Sequence, residues 1–259
     1  MSGQLIAPPF QLTSLEAHAV HVWRASLLNL SDQAAYLSTL LSVDEKARAD
    51  RFIAEHARRQ FIVGRSYLRL ILSTYLNDCP GDFRFDYGRH GKPKLVPHRA
   101  IHFSVSHSAD VVLIAVARAR NVGVDVECVR DGIDHDEIAE QCFTVGELAR
   151  FRRLPSDTRP REFFRYWTSK EAFTKAIGGG LAIPLDKIDV RLATAGQPSS
   201  VSWQNGARIR QWHSHELRLG DEYVGAFVAR SKELDVRVLD AGIECRAGAH
   251  RLIMIPLRA

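Results

Sequence analysis

Asp125 and Glu127 stand two residues apart in Gly123-Val-Asp-Val-Glu127, and about forty residues later Glu171 and Lys175 stand four apart in Trp167-Thr-Ser-Lys-Glu-Ala-Phe-Thr-Lys175. On an extended segment successive side chains alternate faces, so Asp125 and Glu127 point one way and Val126 the other. Residues four apart on a helix lie one above the other, which gives Glu171 and Lys175 a common face. Three carboxylates and an ammonium in this pattern can hold one hard cation and the diphosphate it binds, because Mg²⁺ takes one or two protein carboxylates together with phosphate oxygens. That is the chemistry of a phosphoryl-transfer site. The two acids also interrupt an otherwise apolar strand pattern, and desolvated carboxylates are costly without a counter-charge. Each pair alone reads more readily as solvated charge on a strand or helix face, as does Lys170 beside Glu171. Their combination with Gly178-Gly-Gly180, which ends the helical pattern, argues for a site.

Two further stretches offer donors to phosphate. Ser104-Val-Ser-His-Ser108 ends a strand pattern at a turn, where hydroxyl, imidazole and backbone groups are available. Tyr87-Gly-Arg-His-Gly-Lys-Pro93 is a basic turn in which glycine removes bulk and proline stiffens the exit. Singly, either suits an ordinary hairpin loop. Together they give Lys92, Ser106 and His107 as donors to a nucleotide carrying several phosphates.

The elements that must position these residues occur twice. Val43 to Phe52 aligns with Val145 to Leu154 at an offset of 102 residues, matching at Val43, Glu45, Ala47, Arg48 and Arg51, and at the same offset Arg59 and Phe61 fall on Arg161 and Phe163. The repeat predicts two related lobes, each with a short helix, a long helix and a set of strands. In the first, Val20 to Trp23 reads as a strand and Val43 to Phe52 and Arg58 to Leu76 as amphipathic helices. Strand patterns follow at Phe83 to Phe85, His102 to Ser106, Val111 to Ala117 and Val122 to Val126. The repeated helices, Val145 to Leu154 and Arg161 to Ile177, precede strands at Ile188 to Leu192, Val201 to Trp203, Ile209 to His213 and Tyr223 to Ala229. The expected fold is α+β with two lobes, 1–122 and 123–259, and the chemistry at their junction. The tail 232–259, strand-like at Asp235 to Leu239 and Leu252 to Ile255, is grouped with the second lobe and has no functional reading.

With 46% hydrophobic and 25% charged residues in 259, the chain has the composition of an ordinary globular protein. Met1 to Phe10 lacks the basic region and apolar core of a targeting segment, and no apolar run approaches the roughly 20 residues of a membrane span. A cytoplasmic protein with no membrane partner is expected. Cys79, Cys128, Cys142 and Cys245 lack the close pairing of zinc or redox motifs and read as reduced thiols. The net charge of +5 favours an acidic partner, whether nucleic acid, a polyphosphate cofactor or an acidic protein.

Gly91-Lys-Pro93, Ser104-Val-Ser-His-Ser108, Gly123-Val-Asp-Val-Glu127 and Trp167 to Lys175 with Gly178, in that order and spacing, resemble the 4′-phosphopantetheinyl transferases of the larger, two-lobed Sfp type. The resemblance spans roughly Val20 to Leu192 and implies two lobes related by a pseudo-twofold, each a small β-sheet packed with helices, with the active site in the cleft between them. It implies transfer of the 4′-phosphopantetheine arm of coenzyme A, the co-substrate, to a serine of a carrier protein, with release of adenosine 3′,5′-bisphosphate. Asp125, Glu127 and Glu171 would bind Mg²⁺, with Mn²⁺ as the alternative, and Lys175 would hold the diphosphate. Glu171 would take the serine proton, Ser106 and His107 would contact phosphates, and Lys92 the nucleotide end. Arg48 and Arg59 are the candidates for the 3′-phosphate. Val124 and Val126 replace the isoleucines of a common Gly-Ile-Asp-Ile-Glu form, a conservative change at inward positions. The partner would be an acidic acyl or peptidyl carrier protein, and the duplication within one chain predicts a monomer.

Two rivals stand beside this reading. A metal-dependent nuclease would also use clustered carboxylates and a basic surface, although no basic run interleaved with aromatics marks a nucleic-acid module. A carrier-docking protein without activity would have no need of Asp125, Glu127, Glu171 and Lys175 together.

Overall fold

Among the described residues, the two halves of the chain run through the same order of elements: one strand, three helices, four strands. The computed structural model describes residues 15–28, 33–130, 132–194, 197–205, 208–246 and 249–255. The segment Met1 to Phe10 therefore lies outside the described residues, as do the last four residues of the tail and the side chain of Cys245. The first half comprises β1 (Ala19–Ser26), α1 (Ala34–Thr39), α2 (Val43–Ala49), α3 (Glu55–Leu76), β2 (Arg84–Tyr87), β3 (Pro93–Val96), β4 (Ile101–Ser108) and β5 (Val111–Arg118). The second comprises β6 (Val122–Cys128), α4 (His135–Cys142), α5 (Val145–Phe151), α6 (Arg159–Ile177), β7 (Ile188–Arg191), β8 (Ser200–Asn205), β9 (Arg208–Leu217) and β10 (Tyr223–Ala229).

The repeat extends to the helix ends. The backbone N–H of Ser42 donates to Glu45 Oε2 at 3.0 Å, and that of Thr144 to Glu147 Oε2 at 2.7 Å, so α2 and α5 open on the same reciprocal cap. The long helices both stop at a left-handed residue, Asn77 with φ 56° and Gly178 with φ 71°. Sequence patterning did not anticipate α1, α4 or β3. The two helices are too short for their periodicity to register, and β3 begins at Pro93, which reads as the exit of a turn.

One sheet runs in the order β12-β11-β1-β5-β4 and the other in the order β6-β10-β9-β8-β7, while β2 and β3 form a hairpin. Here β11 (Asp235–Arg246) and β12 (Ala249–Ile255) are the tail, which thus joins the sheet of the first half rather than the second. β11 lies parallel to β1, with Val20 opposite Val236 and Val22 opposite Val238. Without it β1 would present a row of unpaired backbone groups beside fully buried side chains, an edge that proteins cover.

Three apolar layers hold this arrangement. Tyr67, Leu68 and Ile71 of α3 pack with Trp23, Phe103 and Ile114 of the first sheet. Phe163, Tyr166 and Phe173 of α6 pack with Val190, Trp212 and Val228 of the second. Between the sheets, Val20, Val22, Leu113 and Ala115 meet Val124, Val126 and Phe227. β5 therefore buries both faces, Ile114 and Val116 one way and Leu113, Ala115 and Ala117 the other, which is why it reads as an unbroken apolar run. The shared layer joins the lobes through buried apolar contact and brings β4 alongside β6, where the polar residues gather. No helix among the described residues is long and apolar enough to cross a membrane.

Candidate active site

Because Val124 and Val126 face the layer between the sheets, the alternate residues Gly123, Asp125 and Glu127 of β6 face α6. The approach is close enough that only glycine fits: a Cβ on Gly123 would lie 1.9 Å from the carbonyl oxygen of Ala172 and 2.4 Å from the nitrogen of Ala176. The two alanines, four apart, form the small face of α6 that meets the strand, and Glu171 and Lys175 occupy the adjacent row. Close backbone packing puts the Lys175 ammonium within reach of β6. Lys175 Nζ donates to Asp125 Oδ1 at 2.6 Å and to Ser106 Oγ at 2.8 Å.

β4 contributes through its own alternation. Ser104 Oγ accepts from the Val124 N–H at 3.1 Å, Ser106 Oγ donates to Asp125 Oδ1 at 2.7 Å, and Ser108 Oγ accepts from the Cys128 N–H at 3.1 Å while donating to Glu127 Oε2 at 2.8 Å. β4 and β6 belong to different sheets, so three serine hydroxyls join them and fix both acids in the same stroke. Asp125 is 3% exposed and its Oδ2 is buried with no hydrogen-bond partner among the described residues. Burial first, then the charges of Asp125 and Glu127, push the Glu171 carboxyl above its ordinary range, with Lys175 opposing them. Burial likewise raises Glu127, and its bond from Ser108 opposes the rise. Three carboxylates thus face the Lys175 ammonium and, beside Glu127, the Arg130 guanidinium at 3.8 Å, an excess of negative charge in a largely desolvated seam.

The predicted metal set is brought to one seam but not to one point: among the described residues no group of three His, Cys, Asp or Glu side chains stands ready to hold an ion. Like charges disfavour close approach, and Asp125 and Glu127 have each taken a nearby donor instead. Asp125 bonds Lys175 and Ser106, and Glu127 bonds Ser108, with Arg130 at 3.8 Å.

The remaining predicted binders lie apart from this group. His107 is exposed at the mouth of the seam, where partial desolvation and then the Lys175 charge hold its imidazole below the ordinary value. Arg48 stacks its guanidinium 5.2 Å from the Phe61 ring and 5.6 Å from that of Tyr87, and Arg59 donates to the Leu27 carbonyl. Lys92 directs its ammonium away from the carboxylates, to the backbone carbonyls of Val122, Lys175 and Ala176.

Sequence reasoning missed the support beneath α6. Lys170, expected on the solvated face beside Glu171, is fully buried and pairs with the equally buried Glu147 at 2.7 Å. Lys170 Nζ also donates to the Leu185 and Ile188 carbonyls, and Glu147 Oε1 accepts from the Val190 N–H at 2.6 Å. The pair ties α5, α6 and β7 together. The Thr144-Glu147 cap was the available signal, since it marks Glu147 as a structural residue. In the first lobe the equivalent place holds Glu45 with Arg69 at 2.8 Å and Arg65 at 3.2 Å. Counted back from the left-handed ends Asn77 and Gly178, Arg69 corresponds to Lys170 and Leu70 to Glu171, and on the strands Trp23 falls at Asp125, so the acidic residues are present in the second lobe alone.

Residues 121–228 match the family model of the 4′-phosphopantetheinyl transferase superfamily, and residues 23–119 match that of the 4′-phosphopantetheinyl transferase N-terminal region. Over 196 residues the chain is 40% identical to the 4′-phosphopantetheinyl transferase HetI of Nostoc sp., covering 74% of this chain and 81% of that one. The chain belongs to the 4′-phosphopantetheinyl transferase family. It is also 31% identical over 169 residues to the transferase psf-1 of Bacillus pumilus, covering 65% and 71% of the two chains. Identity to Sfp of Bacillus subtilis is 29% over 161 residues, covering 62% and 70%. The chain is thus a phosphopantetheinyl transferase of the Sfp type, an enzyme that modifies carrier proteins. The two family models meet at the link between β5 and β6, and the serine seam joins the strands on either side of that link.

Proposed function

We propose that this transferase moves 4′-phosphopantetheine from coenzyme A to a serine of an apo acyl or peptidyl carrier protein, releases adenosine 3′,5′-bisphosphate, and requires Mg²⁺ or Mn²⁺ held by Asp125, Glu127 and Glu171. The observation that carries the reading is the Lys175 ammonium bonded to Asp125 and Ser106 in a seam with surplus negative charge. The donors suit a hard ion: all are carboxylate oxygens, and Asp125 Oδ2 is already desolvated and has no hydrogen-bond partner among the described residues. Such an ion, when bound, supplies neutralisation of the diphosphate and of the charge that builds on the leaving group.

The chain's own residues do the rest. Lys175 holds diphosphate oxygens as a compact point charge, with Ser106 and His107 contacting phosphate and Arg48 and Arg59 serving the 3′-phosphate. Glu171, its carboxyl raised by burial, takes the proton of the carrier serine as that oxygen attacks the phosphorus nearest the pantetheine. The new serine O–P bond forms, the bond from that phosphorus to the bridging oxygen breaks, and the electron pair leaves with adenosine 3′,5′-bisphosphate. Gly123 and the serine seam keep these groups in register, so positioning contributes as much as any single charge.

The net charge of +5 suits an acidic carrier and speeds encounter, an effect that weakens as salt rises. The enzyme would act as a monomer in the cytoplasm, without nucleic-acid or membrane partners. The test incubates the protein with coenzyme A, Mg²⁺ and an apo carrier, then weighs the carrier by mass spectrometry. A gain of one phosphopantetheine arm that vanishes with a chelator and returns with Mg²⁺ is expected. No gain across several carriers, or degradation of added DNA or RNA, refutes the proposal.

A further inference from the structure

Lys92 lies in the turn between β2 and β3, on the first lobe, yet its ammonium ends inside the second. Nζ donates to the Lys175 carbonyl at 2.6 Å, to the Val122 carbonyl at 3.2 Å and to the Ala176 carbonyl at 3.4 Å. An ammonium has three N–H groups, and here each has one backbone acceptor. Two of the acceptors belong to the last turn of α6, where carbonyls lack helical partners and the helix dipole presents its negative end. The third opens β6, three residues before Asp125. The backbone N–H of Gly178 also reaches the Lys175 carbonyl, at 3.3 Å, and the lysine stem passes beside Gly178. Burial and then the neighbouring Lys94 pull Lys92 down to about 8.

The last turn of a helix is where fraying begins, and in α6 that turn carries Lys175. Holding Lys175 against Asp125 and Ser106 therefore depends on what caps Ala176 and Ile177. We propose that Lys92 is a positioning residue: it clasps the end of α6 to the start of β6 from across the lobe boundary, and so sets Lys175 in place without itself touching coenzyme A. The inference rests on the proposed role of Lys175 at the diphosphate. It predicts that the Lys92 side chain affects nucleotide binding only through Lys175.

Two measurements test it, on the full chain. Hydrogen exchange of the ligand-free protein should show amides of residues 176–179 exchanging at least about tenfold faster in Lys92→Met than in wild type. Affinity for adenosine 3′,5′-bisphosphate, by calorimetry, should fall about three- to tenfold in Lys92→Met and by less than about twofold when the same change is made on a Lys175→Ala background. If Lys92→Met does not fold, Lys92→Gln, which keeps two donors, is read in the same way. Unchanged exchange, or an equal loss of affinity in both backgrounds, overturns the clasp and makes Lys92 a direct nucleotide ligand. Should wild type bind no nucleotide at all, the proposed function fails, and the exchange comparison still decides the clasp.

Discussion

Gly123→Ala is the sharpest single perturbation of this site. The added carbon would sit 1.9 Å from the Ala172 carbonyl oxygen and 2.4 Å from the Ala176 nitrogen, both backbone atoms that no rotamer change can move. Reaching even a strained 3.0 Å requires α6 and β6 to part by about 1.1 Å. Overpacking of this kind costs about 1–3 kcal/mol through displaced neighbours, and more when backbone must shift. At about 2–4 °C per kcal/mol for a chain of this size, the melting temperature should drop by about 6–12 °C for a loss of ~3 kcal/mol. The same movement carries Lys175 away from Asp125 and Ser106, whose bonds of 2.6 and 2.8 Å leave no slack for it. A misplacement near 1 Å can cost ~100-fold in rate. The assay pairs thermal melting with the initial rate of carrier labelling at saturating coenzyme A. A variant that melts with wild type and labels within about twofold of its rate refutes the argument, because α6 would then not rest on the strand backbone.

Asp125→Ala and Glu171→Ala should each abolish carrier labelling while leaving circular dichroism and the cooperative melt intact; labelling by either purified variant would remove its carboxylate from the proposed mechanism. Lys170→Met leaves the Glu147 carboxylate buried without its cation and should cost about 3–5 kcal/mol in denaturant unfolding, whereas Lys170→Met with Glu147→Gln should cost less than that single change. His21 is 1% exposed and bonded to the Tyr75 hydroxyl at 2.8 Å. Burial, then Arg237, lowers its pKa below 6.5, partly offset by Asp235, so the unfolded chain binds the proton more readily than the folded one. Its contribution to stability is full above 6.5 and is lost as pH falls through the lower folded value. Melting temperature should therefore decline between about pH 7 and about pH 5, and decline less steeply in His21→Gln; parallel slopes for the two proteins would count against it.

Much of the architecture was present in the local pattern. The offset between Val43 and Val145 carries the duplication because each half must build the same capped helix, and Ser42-Glu45 and Thr144-Glu147 encode that cap within four residues. Asp125 and Glu127 could be placed on one strand face, and Glu171 and Lys175 on one helix face, because side-chain direction follows backbone period. α1 and α4 escaped because one or two turns are too few to show a period. The tail escaped for a different reason: Asp235 to Leu239 reads as a strand, but nothing within it names Ala19–Ala25 as its partner, and that choice belongs to an edge formed more than two hundred residues earlier.

Amino-acid order alone therefore determined which way each of these polar residues turns on its own element, since that follows from short-range geometry. Only the tertiary structure decided which groups meet. It put Lys170 in the core with Glu147, turned Lys92 onto the end of α6, and gave Asp125 to Lys175 and Ser106 and Glu127 to Ser108. A charged side chain finds its partner by what the fold leaves desolvated beside it, and that environment is assembled from segments far apart in the chain.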